Sequence, residues 1–117
     1  MNVEFYIENS YKLSELITKK YSTSFSLATS LLEKEKRKAI YAIYGFVRLA
    51  DEIVDSFHGY DKPFLLSNLN DQLQYALENG ISTNTILAAF ADTVRKYDIS
   101  SQHIHAFMES MRYDLTK

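Results

Sequence analysis

Two aspartates and an arginine near the middle of the chain are spaced for chemistry on one face of a helix. Asp51 and Asp55 are four residues apart, and Arg48 lies three residues before Asp51. In an α-helix this spacing brings the Cβ atoms to about 5–6 Å from one another. Adjacent carboxylates repel unless a cation lies between them, and Mg²⁺ is commonly held by one or two carboxylates together with phosphate oxygens. The pattern therefore indicates a site for magnesium and a phosphate group, which Arg48 could also bind.

These three residues belong to a longer polar stripe. At about 100° per residue, its members fall within an arc of about 80°: Arg37, Tyr41, Tyr44, Arg48, Asp51 and Asp55. The rest of the segment is mostly apolar, so the helix should be largely buried. Because a buried charge must be paired or bind a metal, the stripe predicts a polar wall facing an internal cavity. The spacing alone leaves open an ordinary solvated helix face, where such charge pairs are common.

Long helices with short connections must position this stripe, because the 117 residues include only three Gly and one Pro. Apolar periodicity and capping residues predict an all-α helical bundle. Five helices are expected, at about 9–20, 33–56, 61–79, 84–97 and 100–115. Their N-caps would include Asn9 or Ser10, Asp61, and Ser100 or Ser101. The Ser/Thr cluster at 21–24 should interrupt the helical pattern, because such side chains compete for backbone hydrogen bonds, and a short apolar run follows at 25–32.

Composition narrows the class of protein. Thirteen Lys and Arg against 15 Asp and Glu leave no basic excess, so no nucleic-acid partner is predicted. The sequence has no cysteine, which excludes disulfides and thiolate metal sites. It has no apolar run of about 18 residues, and residues 1–8 lack the basic start of a signal peptide, so a cytoplasmic location is expected. Peripheral contact with a membrane stays open, because Lys34, Lys36, Arg37 and Lys38 could attract an anionic surface.

Three motifs, in order, give the chain a resemblance to a known family. Residues 37–55 resemble the first aspartate-rich region of the squalene/phytoene synthase family, which reads tyrosine, three residues, arginine, two residues and Asp-x-x-x-Asp. Upstream, Tyr21-Ser22-Thr23-Ser24-Phe25 resembles the family's Ser-x-Ser-Phe segment. Downstream, Met111-Arg112-Tyr113-Asp114-Leu115 resembles a Met-x-x-Asp-Leu element of phytoene synthases. The resemblance implies a partial isoprenoid-synthase fold, with residues 1–117 as the N-terminal part of one all-helical domain.

The resemblance also implies roles for individual residues. Asp51 and Asp55 would be the catalytic, metal-binding residues, holding Mg²⁺ that bridges to a substrate diphosphate. The implied substrate-binding residues are Tyr21, Ser22, Thr23, Ser24, Tyr44 and Arg48. Without the resemblance, a helix break or cap is the simpler interpretation of Ser22 and Ser24. No role is assigned to Asp114, whose match rests on a single residue.

Family members are magnesium-dependent transferases that condense two prenyl diphosphates head to head. The Met-x-x-Asp-Leu element favours geranylgeranyl diphosphate and phytoene, hence carotenoid biosynthesis, over the farnesyl diphosphate route to squalene or dehydrosqualene. The family's second aspartate-rich motif, which supplies further magnesium ligands, is not in this sequence, so the 117-residue chain alone is expected to be inactive. The helical pattern near Lys117 suggests a cut rather than a natural terminus.

Two alternatives from other functional classes stay open. One is a non-catalytic helical relative that acts in assembly or lipid handling, and the other is a helical packing module. Retention of both Asp51 and Asp55 favours the enzyme.

Overall fold

The computed structural model describes residues 2–116, which form six α-helices. They are α1 (Val3–Tyr21), α2 (Thr23–Thr29), α3 (Lys34–Ser56), α4 (Lys62–Asn79), α5 (Thr85–Tyr97) and α6 (Ser101–Leu115). No β-strand occurs among these residues, so the all-α prediction is confirmed. Within the same range, no helix combines the length and apolar character that a membrane crossing requires. The suggested cut at Lys117 lies outside the described residues.

The predicted ends of the later helices are confirmed. They were predictable because side chains close in sequence determine them. Asp61 caps α4, its Oδ1 accepting a hydrogen bond from the Phe64 amide at 3.1 Å. Gly80 ends that helix in the left-handed region at φ 75°, where glycine carries no Cβ penalty. Ser100 caps α6 by accepting from the Gln102 amide at 3.2 Å. These short-range bonds fix where the chain turns between α4 and α6.

The predicted start of the first helix is wrong. α1 begins at Val3, and Asn2 is its cap, with Oδ1 accepting from the Phe5 amide at 2.8 Å. Asn9 and Ser10, the predicted caps, lie inside the helix instead. Each donates a side-chain hydrogen bond to the carbonyl of the fourth residue before it, at 2.9 Å in both cases. A residue of a type that often caps helices can thus form its side-chain hydrogen bond inside a helix instead.

The prediction of five helices is also wrong, because the segment after the Ser/Thr cluster forms a helix of its own. Ser22 ends α1, where its amide donates to the Thr18 carbonyl at 2.9 Å. The same residue starts α2, because its Oγ accepts from the Phe25 amide at 3.2 Å. The interruption predicted at 21–24 is therefore a single extended residue between two helices.

The main core lies where α3 meets α4, α5 and α6. It is built from large apolar side chains, among them Phe46, Ile53, Leu66, Leu73, Leu87, Phe90 and Met108. The Phe46 ring stacks on Phe90 with centroids 4.2 Å apart, and Phe107 approaches it at 5.5 Å. Burial of such side chains is the dominant stabilising term in folding. The core therefore fixes α3 as the central element of the bundle.

The opposite side of α3 packs against α1 through small and hydroxyl-bearing residues. Ser10, Ser14 and Thr18 are fully buried along α1. Ser14 lies so near Gly45 of α3 that a Cβ added at Gly45 would be 3.3 Å from both the Cβ and the Oγ of Ser14. Tyr11 fastens α1 to α5, because its hydroxyl donates to Asp92 Oδ2 at 2.7 Å. Close backbone approach therefore holds α1 where its last residues reach the C-terminal half of α3.

Candidate functional site

The middle and C-terminal part of α3 carry four of the predicted site residues. Tyr44, Arg48 and Asp51 are half-buried, whereas Asp55, the last residue but one of the helix, is exposed. The helical spacing of the motif is present, because all four lie within the continuous helix Lys34–Ser56. That Asp51 and Asp55 line one polar groove with Tyr44 and Arg48 stays a prediction.

A polar cluster joins the end of α1 to this part of α3, with Glu52 at its centre. Arg48 Nη2 lies 2.8 Å from Glu52 Oε1. Tyr21 donates its hydroxyl hydrogen to Glu52 Oε2 at 3.0 Å, and Ser56 donates to Oε1 at 3.0 Å. The Arg48 guanidinium also lies over the Tyr21 ring, 5.1 Å from its centroid. The structure thus brings together Tyr21 and Arg48, which the sequence placed in separate motifs.

The electrostatics of the cluster leave one donor of Arg48 unused. Burial acts to raise the pKa of Glu52, but hydrogen bonds from Ser56 and Tyr21 and the charge of Arg48 outweigh it and lower that pKa. Glu52 therefore stays ionised and takes up one side of the guanidinium. The Arg48 Nε is buried and has no hydrogen-bond partner among residues 2–116. A buried donor of this kind is costly unless an acceptor is supplied, and a phosphate oxygen is a suitable one.

The segment between α1 and α2 lies beside this cluster. Phe25 of α2 stacks on Tyr44 with centroids 5.0 Å apart, which fixes α2 against α3. Ser22 is the cap of α2, so the simpler interpretation considered for it is what the structure shows locally. Thr23 and Ser24 occupy the first turn of α2 and are exposed. A substrate contact by Tyr21, Ser22, Thr23 or Ser24 stays a prediction.

Asp51 lies in a region of concentrated negative charge. Burial raises the pKa of its carboxyl group, while the nearby Arg48 acts in the opposite direction. The charges of Asp55 and Asp114 raise this pKa further. The half-buried Asp114 belongs to α6, so the last described helix adds a carboxylate near the motif of α3. A cation beside Asp51 would offset both the burial and the repulsion.

The pair Asp51 and Asp55 suits a hard cation, because carboxylate oxygens are the ligands that Mg²⁺ prefers. Within the part of the chain that the structure describes, no three or more His, Cys, Asp or Glu side chains are grouped to hold a metal ion. The donor chemistry of the two aspartates therefore fits magnesium, and these residues alone would leave most of its coordination sphere to water, phosphate or other ligands.

The N-terminal end of the polar stripe lies in a different environment. Tyr41 is 2% exposed, and with Arg37 it lines two cavities between α1, α2 and α3. These cavities are bordered by lysines of α1 and the start of α3 rather than by Asp51 or Asp55. The stripe therefore divides into a basic end and an acidic end along one helix.

Glu52 is the residue of this cluster that the motif comparison missed. It lies four residues after Arg48, and oppositely charged residues at that spacing commonly pair on a helix. That spacing could have identified the Arg48–Glu52 pair from the sequence. Its bonds to Tyr21 could not have been found in this way, because they depend on how α1 packs against α3.

The fold is that of a solved synthase. The chain superimposes over its whole length on 43% of squalene synthase HpnC from Alicyclobacillus acidocaldarius, with a TM-score of 0.83 and 21% identity. At this identity the likeness shows the fold alone, and it confirms the predicted isoprenoid-synthase architecture.

The sequence relatives are phytoene synthases. The chain is 33% identical to chloroplastic phytoene synthase 1 of Zea mays over 95% of the chain and 27% of that protein. It is 38% identical to chloroplastic phytoene synthase 1 of Arabidopsis thaliana over 83% of the chain and 23% of that protein. The chain thus spans about a quarter of the length of these curated relatives. The family model for squalene/phytoene synthase matches residues 18–117. The chain therefore belongs to the squalene/phytoene synthase family.

Proposed function

We propose that this chain is the N-terminal part of a magnesium-dependent prenyl transferase that condenses two prenyl diphosphates head to head. Geranylgeranyl diphosphate is the favoured substrate and phytoene the favoured product, since the most similar relatives described above are phytoene synthases. Farnesyl diphosphate, giving squalene or dehydrosqualene, is the alternative. The observation that carries the proposal is the buried, unpartnered Nε of Arg48 one turn before Asp51, within a segment that the family model matches.

Asp51 and Asp55 are the proposed magnesium ligands. Their carboxylates are one helical turn apart, and the pKa of Asp51 is raised mainly by burial. When bound, magnesium supplies positive charge that stabilises a diphosphate leaving group. Further ligands would come from the family's second aspartate-rich region, which is not in this sequence. The 117-residue chain alone is therefore proposed to be inactive.

Arg48 is the proposed diphosphate contact, and Tyr21 and Glu52 hold it in place. Glu52 fixes Nη2, and the Tyr21 ring covers the guanidinium plane, so the side chain is oriented before substrate binds. Such preorganisation matters because charge develops on the leaving group in the transition state. Tyr44, stacked on Phe25, presents an aromatic surface suited to an allylic cation. Ser22, Thr23 and Ser24 complete the proposed substrate segment.

Asp51→Asn tests the proposal in the longer polypeptide that it requires. The change keeps the size of the side chain and removes one charge from the ion site. Loss of one electrostatic contact to a developing charge commonly lowers the rate about a hundredfold, and high magnesium should restore part of it. Thermal stability should stay level or rise, because repulsion with Asp55 is relieved. The rate effect is measured as initial rates against magnesium concentration, and the stability effect is measured by melting curves.

Asp71→Asn is the matched control, because Asp71 is exposed on α4. Its rate should stay within twofold or so of wild type, as for most surface changes. Near-normal activity of Asp51→Asn with unchanged magnesium dependence would contradict the ligand assignment. A separate incubation of the purified 117-residue chain with magnesium and either prenyl diphosphate should give no apolar product. Product in that incubation would refute the need for further ligands.

A further inference from the structure

Charge is divided unevenly along the chain. Residues 1–50 carry eight Lys and Arg against five Asp and Glu, whereas residues 51–117 carry five against ten. The basic part includes α1, α2 and about the first three-quarters of α3. Clustered positive charge on a protein that is acidic as a whole creates a local positive potential that attracts anionic partners.

A cavity of about 230 Å³ between α1 and α3 collects much of this positive charge. Four cationic side chains line it: Lys12, Lys34, Arg37 and Lys38. The acids on its wall are Glu8 and Glu15, and Glu15 pairs with Lys19, which lies outside this cavity. The buried Tyr41 contributes to its wall. The cavity therefore has more cations than its own acids can balance.

The pairing pattern locates this excess. Lys38 Nζ lies 2.9 Å from Glu8 Oε2, and its hydrogen bond, with the charges of Lys12 and Lys34, lowers the pKa of Glu8 despite some opposing burial. Neither Lys12 nor Lys34 forms an ion pair with any acid among residues 2–116. Within the same residues Arg37 forms no ion pair, and its Nη1 donates to the Ser30 carbonyl at 3.5 Å. Lys12 and Lys34 thus act on a carboxylate that is already bound to Lys38, and Arg37 lines the same cavity.

Exposed leucines lie beside these cations. A second cavity of about 300 Å³ shares Glu15, Arg37 and Tyr41 with the first, and Leu27 of α2 forms part of its wall. Leu27 is 66% exposed, and Leu31, in the turn that leads into α3, is 87% exposed. Apolar side chains next to unpaired cations are typical of surfaces that enter the interface of a charged bilayer.

We propose that this basic–leucine surface, formed by Lys12, Lys34, Arg37, Leu27 and Leu31, binds an anionic phospholipid bilayer. The cations contact lipid phosphates, and the leucines enter the boundary between headgroups and acyl chains. Nucleic acid would use the cations but leave the leucines in water. The inference goes beyond the proposed transferase function, and its test needs no catalysis, so either can fail without the other.

Vesicle co-sedimentation of the 117-residue chain tests the proposal. The chain should pellet with vesicles of phosphatidylserine and phosphatidylcholine in equal parts, but not with phosphatidylcholine alone. The double variant Lys12→Gln, Lys34→Gln should bind about fivefold more weakly for each lysine removed. Leu31→Ser should weaken binding about tenfold through lost apolar contact. Binding should fall at high salt, which screens charges at a surface.

The matched control is Arg95→Gln, Arg112→Gln, which makes the same change in net charge with exposed residues of α5 and α6. Its binding should stay within about twofold of wild type, because attraction falls off within a Debye length of the surface. Unchanged melting curves establish that each variant is folded. Equal binding to neutral and anionic vesicles, or no effect of the lysine pair, would overturn the proposal.

Two further measurements distinguish a lipid bilayer from other occupants of the basic–leucine surface. Calorimetric titration with soluble pyrophosphate should show no binding at concentrations where vesicles bind. Binding of pyrophosphate without vesicle binding would assign the cations to a free phosphate ligand and overturn the lipid assignment. The longer polypeptide should also bind anionic vesicles. Loss of binding there would mean that other helices cover Leu27 and Leu31, which would also overturn the proposal.

Discussion

The two sides of α3 are packed by different means. Towards α4, α5 and α6 the helix presents large apolar side chains such as Phe46 and Ile53. Towards α1 it presents Gly45, which lies against the buried hydroxyl of Ser14. The first side is stabilised by the apolar area removed from water, and the second by the closeness of two backbones. Truncating a large side chain should therefore destabilise the side that faces α4, α5 and α6. Enlarging a small residue should destabilise the side that faces α1.

The largest effect should come from Phe46→Ala, on the side with large residues. Phe46 is 2% exposed and stacks on Phe90, so the change leaves a cavity in the main core. Such truncations cost about 3–5 kcal/mol of unfolding free energy. Urea denaturation measures the loss, and Leu31→Ala, at an exposed apolar position, should change stability by less than about 0.5 kcal/mol. Similar losses in both variants would show that burial at Phe46 is not what stabilises this side.

Gly45→Val tests the side with small residues. Even a Cβ at Gly45 would be tightly placed against Ser14, and valine adds two methyl groups to it. Overpacking of this kind costs about 1–3 kcal/mol. Ala106→Val, at an exposed position of α6, shows the effect of a valine in a helix without overpacking, and should cost about 0.5 kcal/mol. At Gly45, propensity alone would favour valine slightly over glycine, so a loss of stability there reports the overpacking. If the two variants have the same midpoint of denaturant unfolding, α1 does not approach α3 as closely as described.

Tyr11→Phe tests how α1 is fastened to α5. The buried Tyr11 hydroxyl donates to Asp92 Oδ2 and lies 3.0 Å from Thr93 Oγ1. Its removal should cost about 1–2 kcal/mol, because buried partners lose a hydrogen bond. Tyr97→Phe is the control, since its exposed hydroxyl reaches a carbonyl only at 3.4 Å. Equal stability of Tyr11→Phe and wild type would mean that this hydroxyl does not help to hold α1 against α5.

The smallest effect should come from Glu8→Gln, at the edge of the same interface. The hydrogen bond from Lys38 lowers the pKa of Glu8 below its ordinary value of 4.5, so the ion pair stabilises the fold above that value. This contribution disappears as the pH falls through the lowered pKa. Because Glu8 is about half exposed, it amounts to no more than about 0.5 kcal/mol.

Melting curves from pH 7 down to pH 3 measure this effect. The difference between wild type and Glu8→Gln should shrink towards the acid end of that range, as Glu8 becomes protonated in wild type. A difference that persists at the acid end would exclude the ion pair as its source.

The fold was predictable where short-range chemistry determines it. Asp61, Gly80 and Ser100 act within four residues of themselves, and the ends of α4 and α6 were found from them. Asn9 has the same capping chemistry but satisfies it against the carbonyl of Phe5 inside α1. Residue type alone cannot distinguish these outcomes, because they depend on whether the preceding turn is already helical.

The candidate site was predictable in its spacing but not in its contacts. Helical geometry placed Arg48, Asp51 and Asp55 on one face, and all lie within α3. The cluster around Glu52 includes Tyr21, which belongs to a different helix, α1. The charge that raises the pKa of Asp51 comes in part from Asp114 of α6. These contacts depend on tertiary packing, which the helical periodicity of the sequence does not predict.

The side-chain bonds of α1 have a mechanical consequence. Ser14 and Thr18 donate their hydroxyl hydrogens to carbonyls of their own helix, so these hydroxyls do not bridge to α3. Tyr6 and Tyr11, nearer the start of α1, bond instead to Ser82 and to α5. The first half of α1 is therefore anchored to Ser82 and α5, whereas its last residue, Tyr21, contacts Glu52 and Arg48 of α3. Any small sliding of α1 against α3 would displace the ring that covers the arginine of the proposed diphosphate site.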